Sequence, residues 1–295
     1  MIYEKWRESI VDVWKLPLKE VILEKVISYP PAGNDVWQCL GKYHGKELSF
    51  FVKSERGKFA NFQGEIKVLN KISNILPVPK VLESGSYGDY TYIVLTKRAG
   101  EKLSDFINDI SFDDRLKYLY NYGKMLGQIH KIKIKGDKAF IRQINDVPCI
   151  DNYENIDKWA LSIIDFLKKS RPQNISYDTF IHGDFHYGNV LFENFKVTGV
   201  LDWEYAGLGF KEQDIAWSLI VRPTQKFMKS KEEWKAFLDG YKSENDFNFT
   251  YLKWCLINGS LHFYLMNRKS DNILYLQFLK KIINNLIESR SLFNI

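Results

Sequence analysis

One segment constrains this chain more than any other. It runs Ile181-His182-Gly183-Asp184-Phe185-His186-Tyr187-Gly188-Asn189 and is followed by the β-rich run Val197–Leu201 and then by Asp202-Trp203-Glu204. Glycine and asparagine punctuate it between apolar flanks, so Thr179–Leu201 reads as a compact strand–loop–strand unit. Asp184 and Asn189 sit five positions apart in the loop, and Asp202 follows Asn189 by thirteen, at the end of a strand. A loop carboxamide and a strand-end carboxylate offer the oxygen donors that a hard ion such as Mg²⁺ takes. Between Ile181 and Asp214 the chain carries six acids against two lysines, a local net charge of −4 inside a chain of +6. A basic chain that gathers carboxylates in one segment is suited to hold a cation, a cationic ligand, or both.

The remainder of the composition excludes several classes. A length of 295 residues leaves room for two domains, at roughly 150 residues each. Hydrophobic residues at 45% and charged ones at 26% give enough apolar surface to offset chain entropy, which excludes disorder as the main state. The three cysteines (Cys39, Cys149, Cys255) are far apart with no CxxC pair, arguing against a disulfide framework and a cysteine zinc site and fitting a reducing cytosol. The first twenty residues mix charges with aromatics and lack the apolar core of a signal peptide. Leu256–Asn267, charge-free and apolar, is too short to span a bilayer. No block of basic residues marks a nucleic-acid surface. The expectation is a cytoplasmic protein with neither membrane nor nucleic acid as partner; nothing in the sequence bears on its oligomeric state.

Along the chain, Val21–Ile27, Val36–Leu40, Leu48–Lys53 and Thr91–Leu95 are short β-rich runs. Within Lys58–Ile75, Phe62, Ile66, Leu69 and Ile72 have helical spacing, and Pro77 and Pro79 lie just beyond. After a connector at Thr96–Gly100 the pattern becomes helical: one stripe runs from Leu116 to Ile129 and ends near His130, a second runs from Ile156 to Leu167, and the stretch from Gln213 onward is mostly helical. The expected fold class is α+β, with two lobes: a small β-rich lobe over residues 1–98 that binds nucleotide and a larger, mainly helical lobe over 99–295 that carries catalysis and substrate. A cleft between two such lobes suits a ligand.

The offset from Asp184 to Asn189 is the one the protein-kinase catalytic loop uses for its aspartate and its metal-binding asparagine. Asp184 would orient an acceptor hydroxyl and take its proton, while Asn189 and Asp202 clamp Mg²⁺ on the phosphates. Lys53 ends an apolar strand, as the phosphate-pairing lysine of kinases does, and Glu65 follows twelve residues later on the expected helix. Such a pair would hold the ammonium over the phosphates. Gly33, Asn34 and Asp35 precede that strand and could form a turn whose backbone N–H groups face phosphate; an ordinary hairpin turn is the alternative. No GxxxxGK[ST] run exists, which excludes a P-loop enzyme.

The run I-H-G-D-F-H-Y-G-N-V-L-F with the later G-V-L-D-W-E resembles the aminoglycoside phosphotransferase and choline kinase superfamily, across roughly Val21 to Ser218. That resemblance implies a protein-kinase-like fold, ATP or GTP as phosphate donor, Asp184 as catalytic aspartate, Asn189 and Asp202 as Mg²⁺ ligands, and Lys53 with Glu65 as the nucleotide lysine and its partner. It implies a hinge at Leu95–Arg98, with Leu95, Thr96 and Arg98 against the nucleotide. Asp214-Ile215-Ala216 matches the family's D-[IL]-A, a mainly structural element.

An aminoglycoside is the leading acceptor, and antibiotic resistance the role it implies. A polycation needs carboxylates, and Glu204 and Glu212 are candidates. Asp202–Gly207 is also reminiscent of choline and thiamine kinases, whose cationic substrates would use an aromatic cage drawn from residues such as Trp203, Tyr205, Trp217 and Tyr264. Two rivals lie outside kinase chemistry. His182, Asp184, His186 and Asp202 are residue types of a metal-dependent phosphoesterase, and a nucleotide-binding pseudokinase would keep the fold without turnover. His182 is read primarily as a brace for the catalytic loop.

Overall fold

A computed structural model describes residues 5–56, 60–135, 138–139 and 146–288. The described chain divides into two compact units, one built from the first 100 residues together with Thr198–Tyr205, the other from Glu101–Val197 and Ala206 onward.

The first unit is an antiparallel five-stranded sheet with one helix: β1 (Val21–Ser28), β2 (Asp35–Tyr43), β3 (Lys46–Ser54), α1 (Phe62–Ile72), β4 (Val81–Tyr87) and β5 (Tyr90–Thr96), in the order β1-β2-β3-β5-β4. The four β-rich runs of the sequence are β1, β2, β3 and β5. One face of the sheet presents Cys39, Phe50, Val52, Tyr92 and Val94, closed by Val11, Val13 and Leu16 of the N-terminal segment. Successive strand residues point to opposite faces, so Lys53, next to Val52, lies on the other face. The expected helix is α1. It begins where the Asn61 side chain accepts the Gly64 amide, buries Phe62, Glu65, Val68, Leu69 and Ile72 along one stripe, and ends before Pro77. The first residues of the expected stretch, Lys58 and Phe59, lie outside the described residues.

The second unit holds β6 (Glu101–Lys102), α2 (Leu103–Phe106), α3 (Phe112–Lys131), α4 (Lys158–Lys169), β7 (Thr179–Ile181), β8 (Val190–Glu193), the start of β9 (Lys196–Val200), β10 (Gly207–Gly209), α5 (Lys211–Leu219), α6 (Lys231–Lys242), α7 (Phe249–Asn267) and α8 (Ile273–Glu288). Its helical stripes fall where the sequence places them, α3 running through His130 and α4 stopping short of Pro172. The helices α3 and α6 cross at glycines: a Cβ on Gly123 would sit 1.9 Å from the Phe237 carbonyl oxygen, and one on Gly240 would sit 1.9 Å from that of Tyr120. The backbones therefore touch, as only glycine allows. Among the described residues, no helix is long and apolar enough to cross a membrane.

Candidate active site

In the first unit the site is an ion cluster. The Lys53 ammonium donates to Glu65 Oε2 at 2.8 Å and to Asp202 Oδ1 at 2.9 Å. The other oxygen of Glu65 accepts the Trp203 backbone amide at 3.3 Å, which ties α1 to the segment carrying Asp202. Burial opposes the charge on Lys53, but Asp202, Glu65 and Glu204 outweigh it and hold the ammonium's pKa well above its ordinary value. Two carboxylates bond that ammonium, and Glu204 adds a third negative charge nearby. Burial raises the pKa of Glu65 against the pull of Lys53. Glu204 is pushed up to about 7, first by burial and then by the neighbouring Asp202. The two direct partners of Lys53 differ in access: the Glu65 side chain is 1% exposed and that of Asp202 is 36%. Asp202 also holds a left-handed backbone, φ +66°, a conformation that costs a non-glycine residue energy and concentrates at functional positions.

In the second unit the loop after β7 is fixed residue by residue. Gly183 turns it with φ +77°. His182 Nδ1 accepts the Asp184 amide at 3.1 Å, so this histidine braces the loop as expected. Asn189 sits on a short 3-10 turn and donates its side-chain N–H to the Asp184 carbonyl at 3.1 Å. From α5, the Asp214 carboxylate accepts the amides of His182 at 2.8 Å and Gly183 at 3.1 Å. It also meets His130 Nε2 at 3.2 Å, and His130 Nδ1 lies 2.8 Å from the Tyr241 hydroxyl. Burial works against the charge of Asp214, yet these bonds hold its pKa below the usual carboxylate value. The D-I-A element is thus structural in a specific sense: its aspartate holds the backbone on which Asp184 stands.

A family model described as the phosphotransferase enzyme family matches residues 31–254. The chain belongs to that family. It is 24% identical over 197 residues to an aminoglycoside 3'-phosphotransferase of Niallia circulans, which spans 61% of this chain and 72% of the relative. The fold is the protein-kinase-like fold of these phosphotransferases. A thermostable mutant of aminoglycoside phosphotransferase APH(4)-Ia, in ternary complex with AMP-PNP and hygromycin B, aligns with a TM-score of 0.64 at 16% identity, covering 93% of this chain and 96% of that one. An aminoglycoside-3'-phosphotransferase of type VIII aligns with a TM-score of 0.58 at 17% identity, covering 84% and 96%.

The other sequence candidates of this phosphotransferase have definite positions. Gly33 and Asn34 lie between β1 and β2, where the Arg7 guanidinium takes the carbonyls of Ala32, Gly33 and Asn34 at 2.9, 3.0 and 3.0 Å. Asn34 donates to Glu204 Oε2 at 3.1 Å, so Glu204 stands with the Lys53 cluster. Asp35 begins β2 fully buried, its carboxylate accepting Ile10 N, Arg56 and the Tyr29 hydroxyl. Leu95 is buried in β5, Thr96 Oγ1 accepts the Lys80 amide at 2.9 Å, and Arg98 donates to the Thr198 carbonyl at 3.0 Å. Glu212 is buried on α5 and accepts the Asn248 amide at 2.7 Å, where α7 begins. From the sequence, Trp217 stands only among the aromatics of a cage for a cationic substrate, not as a partner of Asp184. Its indole N–H donates to Asp184 Oδ1 at 2.8 Å, and only its place three residues after Asp214 on a helix signals that it reaches the same loop.

Proposed function

We propose that this phosphotransferase moves the γ-phosphoryl group of ATP or GTP to a hydroxyl of an aminoglycoside. The observation that carries the reading is Asp184, a carboxylate held from the backbone side by His182 and Asn189 and from the side-chain side by Trp217. Asp184 accepts the proton of the acceptor hydroxyl. The acceptor oxygen then bonds to the γ-phosphorus while the bond to the β–γ bridging oxygen breaks, and its electron pair leaves on the nucleoside diphosphate. Such transfer depends on positioning and charge stabilisation rather than covalent catalysis. Lys53, kept protonated by its three carboxylates, supplies a fixed positive charge for the donor's phosphates.

Asn189 and Asp202 suit Mg²⁺. The amide nitrogen of Asn189 is taken up by the Asp184 carbonyl, leaving its oxygen as the donor to an ion. Asp202 offers the more open carboxylate of the Lys53 cluster. Both are hard oxygen donors. When bound, the ion neutralises charge on the phosphoryl oxygens. The aminoglycoside assignment is supported by the relatives whose names carry that activity.

The test is a panel of kanamycin-type and hygromycin-type aminoglycosides, choline and thiamine, each with Mg²⁺ and ATP or GTP. Nucleoside diphosphate release is expected with an aminoglycoside. Release only with choline or thiamine would move the acceptor, and release with none of them would remove the proposal. Asp184→Ala is expected to keep nucleotide affinity and to lose turnover by orders of magnitude.

A further inference from the structure

The helix α5 holds three consecutive stretches of the catalytic loop through three residues of one face. Asp214 takes the amides of His182 and Gly183, Ser218 Oγ donates to the Phe185 carbonyl at 2.8 Å, and between them Trp217 donates to the Asp184 carboxylate. Two of these contacts fix backbone. The third alone reaches the group that takes the proton.

We propose that Trp217 is a positioning residue for phosphoryl transfer: its indole N–H fixes the orientation of the Asp184 carboxylate toward the acceptor hydroxyl. This rests on the reading of Asp184 as proton acceptor. The last torsion of an aspartate joins sp³ to sp² carbon and is broad, so a well-placed backbone does not aim the oxygens. A catalytic group needs to be held within about 10–20° of its working geometry. A tryptophan N–H acts as donor only, so the bond cannot reverse.

The donor is itself locked. The Arg222 guanidinium lies 4.8 Å from the Trp217 ring centroid and 5.4 Å from that of Tyr187, a residue of the loop between Asp184 and Asn189. Arg222 Nη1 also donates to the carbonyls of Trp217 at 3.2 Å and Ile220 at 2.9 Å. Phe263 of α7 packs on the indole from its own helix, with centroids 6.1 Å apart. A phenylalanine at 217 would fill most of this volume without an N–H. The indole is therefore the feature that sets carboxylate aim apart from packing.

Trp217→Phe is the direct test, assayed with the acceptor of highest turnover in the panel above. A loss of kcat of about 10- to 100-fold is expected, the scale on which misplacement of about 1 Å acts, with KM for the nucleotide unchanged. Made in an Asp184→Ala background, the same substitution is expected to cause no further loss, because there is no carboxylate left to aim. Wild-type kcat in Trp217→Phe would overturn the proposal, as would an equal loss in both backgrounds or a rise in KM at constant kcat. Should the phenylalanine variant fail to fold, β-(3-benzothienyl)alanine at 217, which replaces N–H by sulfur in the same shape, gives the same reading. Wild-type turnover of Asp184→Ala alone would instead overturn the assignment of Asp184, whatever Trp217 does.

Discussion

Asp214 is fully buried and yet carries a pKa below the carboxylate's ordinary 3.8, because His130 and the loop amides favour its charged form more than burial opposes it. A group whose pKa is lowered on folding adds stability that is complete above the unfolded value and disappears as pH falls through the folded one. Asp214→Asn replaces one acceptor oxygen by a donor that faces N–H groups. At pH 7 the substitution is expected to cost about 3 kcal/mol, the usual scale for breaking a buried charged network. In urea unfolding the gap from the parent is expected to stay constant above about pH 5, well clear of the ordinary carboxyl value, and to narrow at pH 3. An unchanged gap at pH 3 would mean that the charge is not what holds the loop. The sequence made the types of these residues legible: Asp184, Asn189 and Asp202 stand out by spacing, Lys53 and Glu65 by a strand end and the helix twelve residues on, and Asp214 by its resemblance to the family's D-[IL]-A element. It did not show which atom each side chain meets. Glu212 reads as a ligand-facing acid and Asp35 as part of a turn whose backbone faces phosphate. Glu212 is buried on the Asn248 amide, and Asp35 on the Ile10 amide, Arg56 and the Tyr29 hydroxyl, contacts that a lone carboxylate does not announce because it carries no periodicity that tells a substrate from a main-chain N–H.

Among elements, the pairing of α3 with α6 depends on having no side chain at two points. Gly123→Ala and Gly240→Ala each put a methyl group where a carbonyl oxygen already lies, at 1.9 Å, so the helices have to separate. Alanine gains up to about 1 kcal/mol in helix propensity over glycine, but overpacking costs about 1–3 kcal/mol and sometimes more. Both variants are expected to lower the melting temperature, whereas a propensity effect alone would raise it. Since α6 carries Tyr241, which meets His130 and through it Asp214, turnover is expected to fall with stability. Elements with a strong period were legible from the sequence, α1 and α4 above all. The strand β4 was not, and Glu83 explains why. A glutamate in its middle is buried because it accepts the amides of Lys19, Glu20 and Val21 at 2.7, 3.0 and 3.1 Å, which breaks the apolar alternation that marks a strand. The helix α7 was legible only as helical in general. It is buried over most of its circumference, and a helix apolar all round shows no stripe.

For the whole molecule, the chain leaves the first unit at residue 100 and returns to it for Thr198–Tyr205, the stretch that brings Asp202 to Lys53. A reading along the sequence has no signal for such a return, since it depends on contacts far apart in the chain. Of the two proposed Mg²⁺ ligands, Asp202 is carried by this returning stretch and Asn189 by the 3-10 turn after β7. A ligand that binds the folded chain and not the unfolded one stabilises the fold. At a free concentration of 100 times its Kd, AMP-PNP with Mg²⁺ adds about 2.7 kcal/mol by mass action, which for a chain of this size corresponds to a rise of about 5 °C in melting temperature. Excess EDTA is expected to reduce that rise, and Asn189→Ala to abolish its Mg²⁺-dependent part while leaving the melting temperature without nucleotide within about 2 °C of the parent. An equal rise with and without Mg²⁺ would show that the nucleotide is held by Lys53 and its surroundings alone, and would withdraw Asn189 and Asp202 as ligands. A Mg²⁺-dependent rise that survives in Asn189→Ala but not in Asp202→Ala would restrict the ion to the first unit.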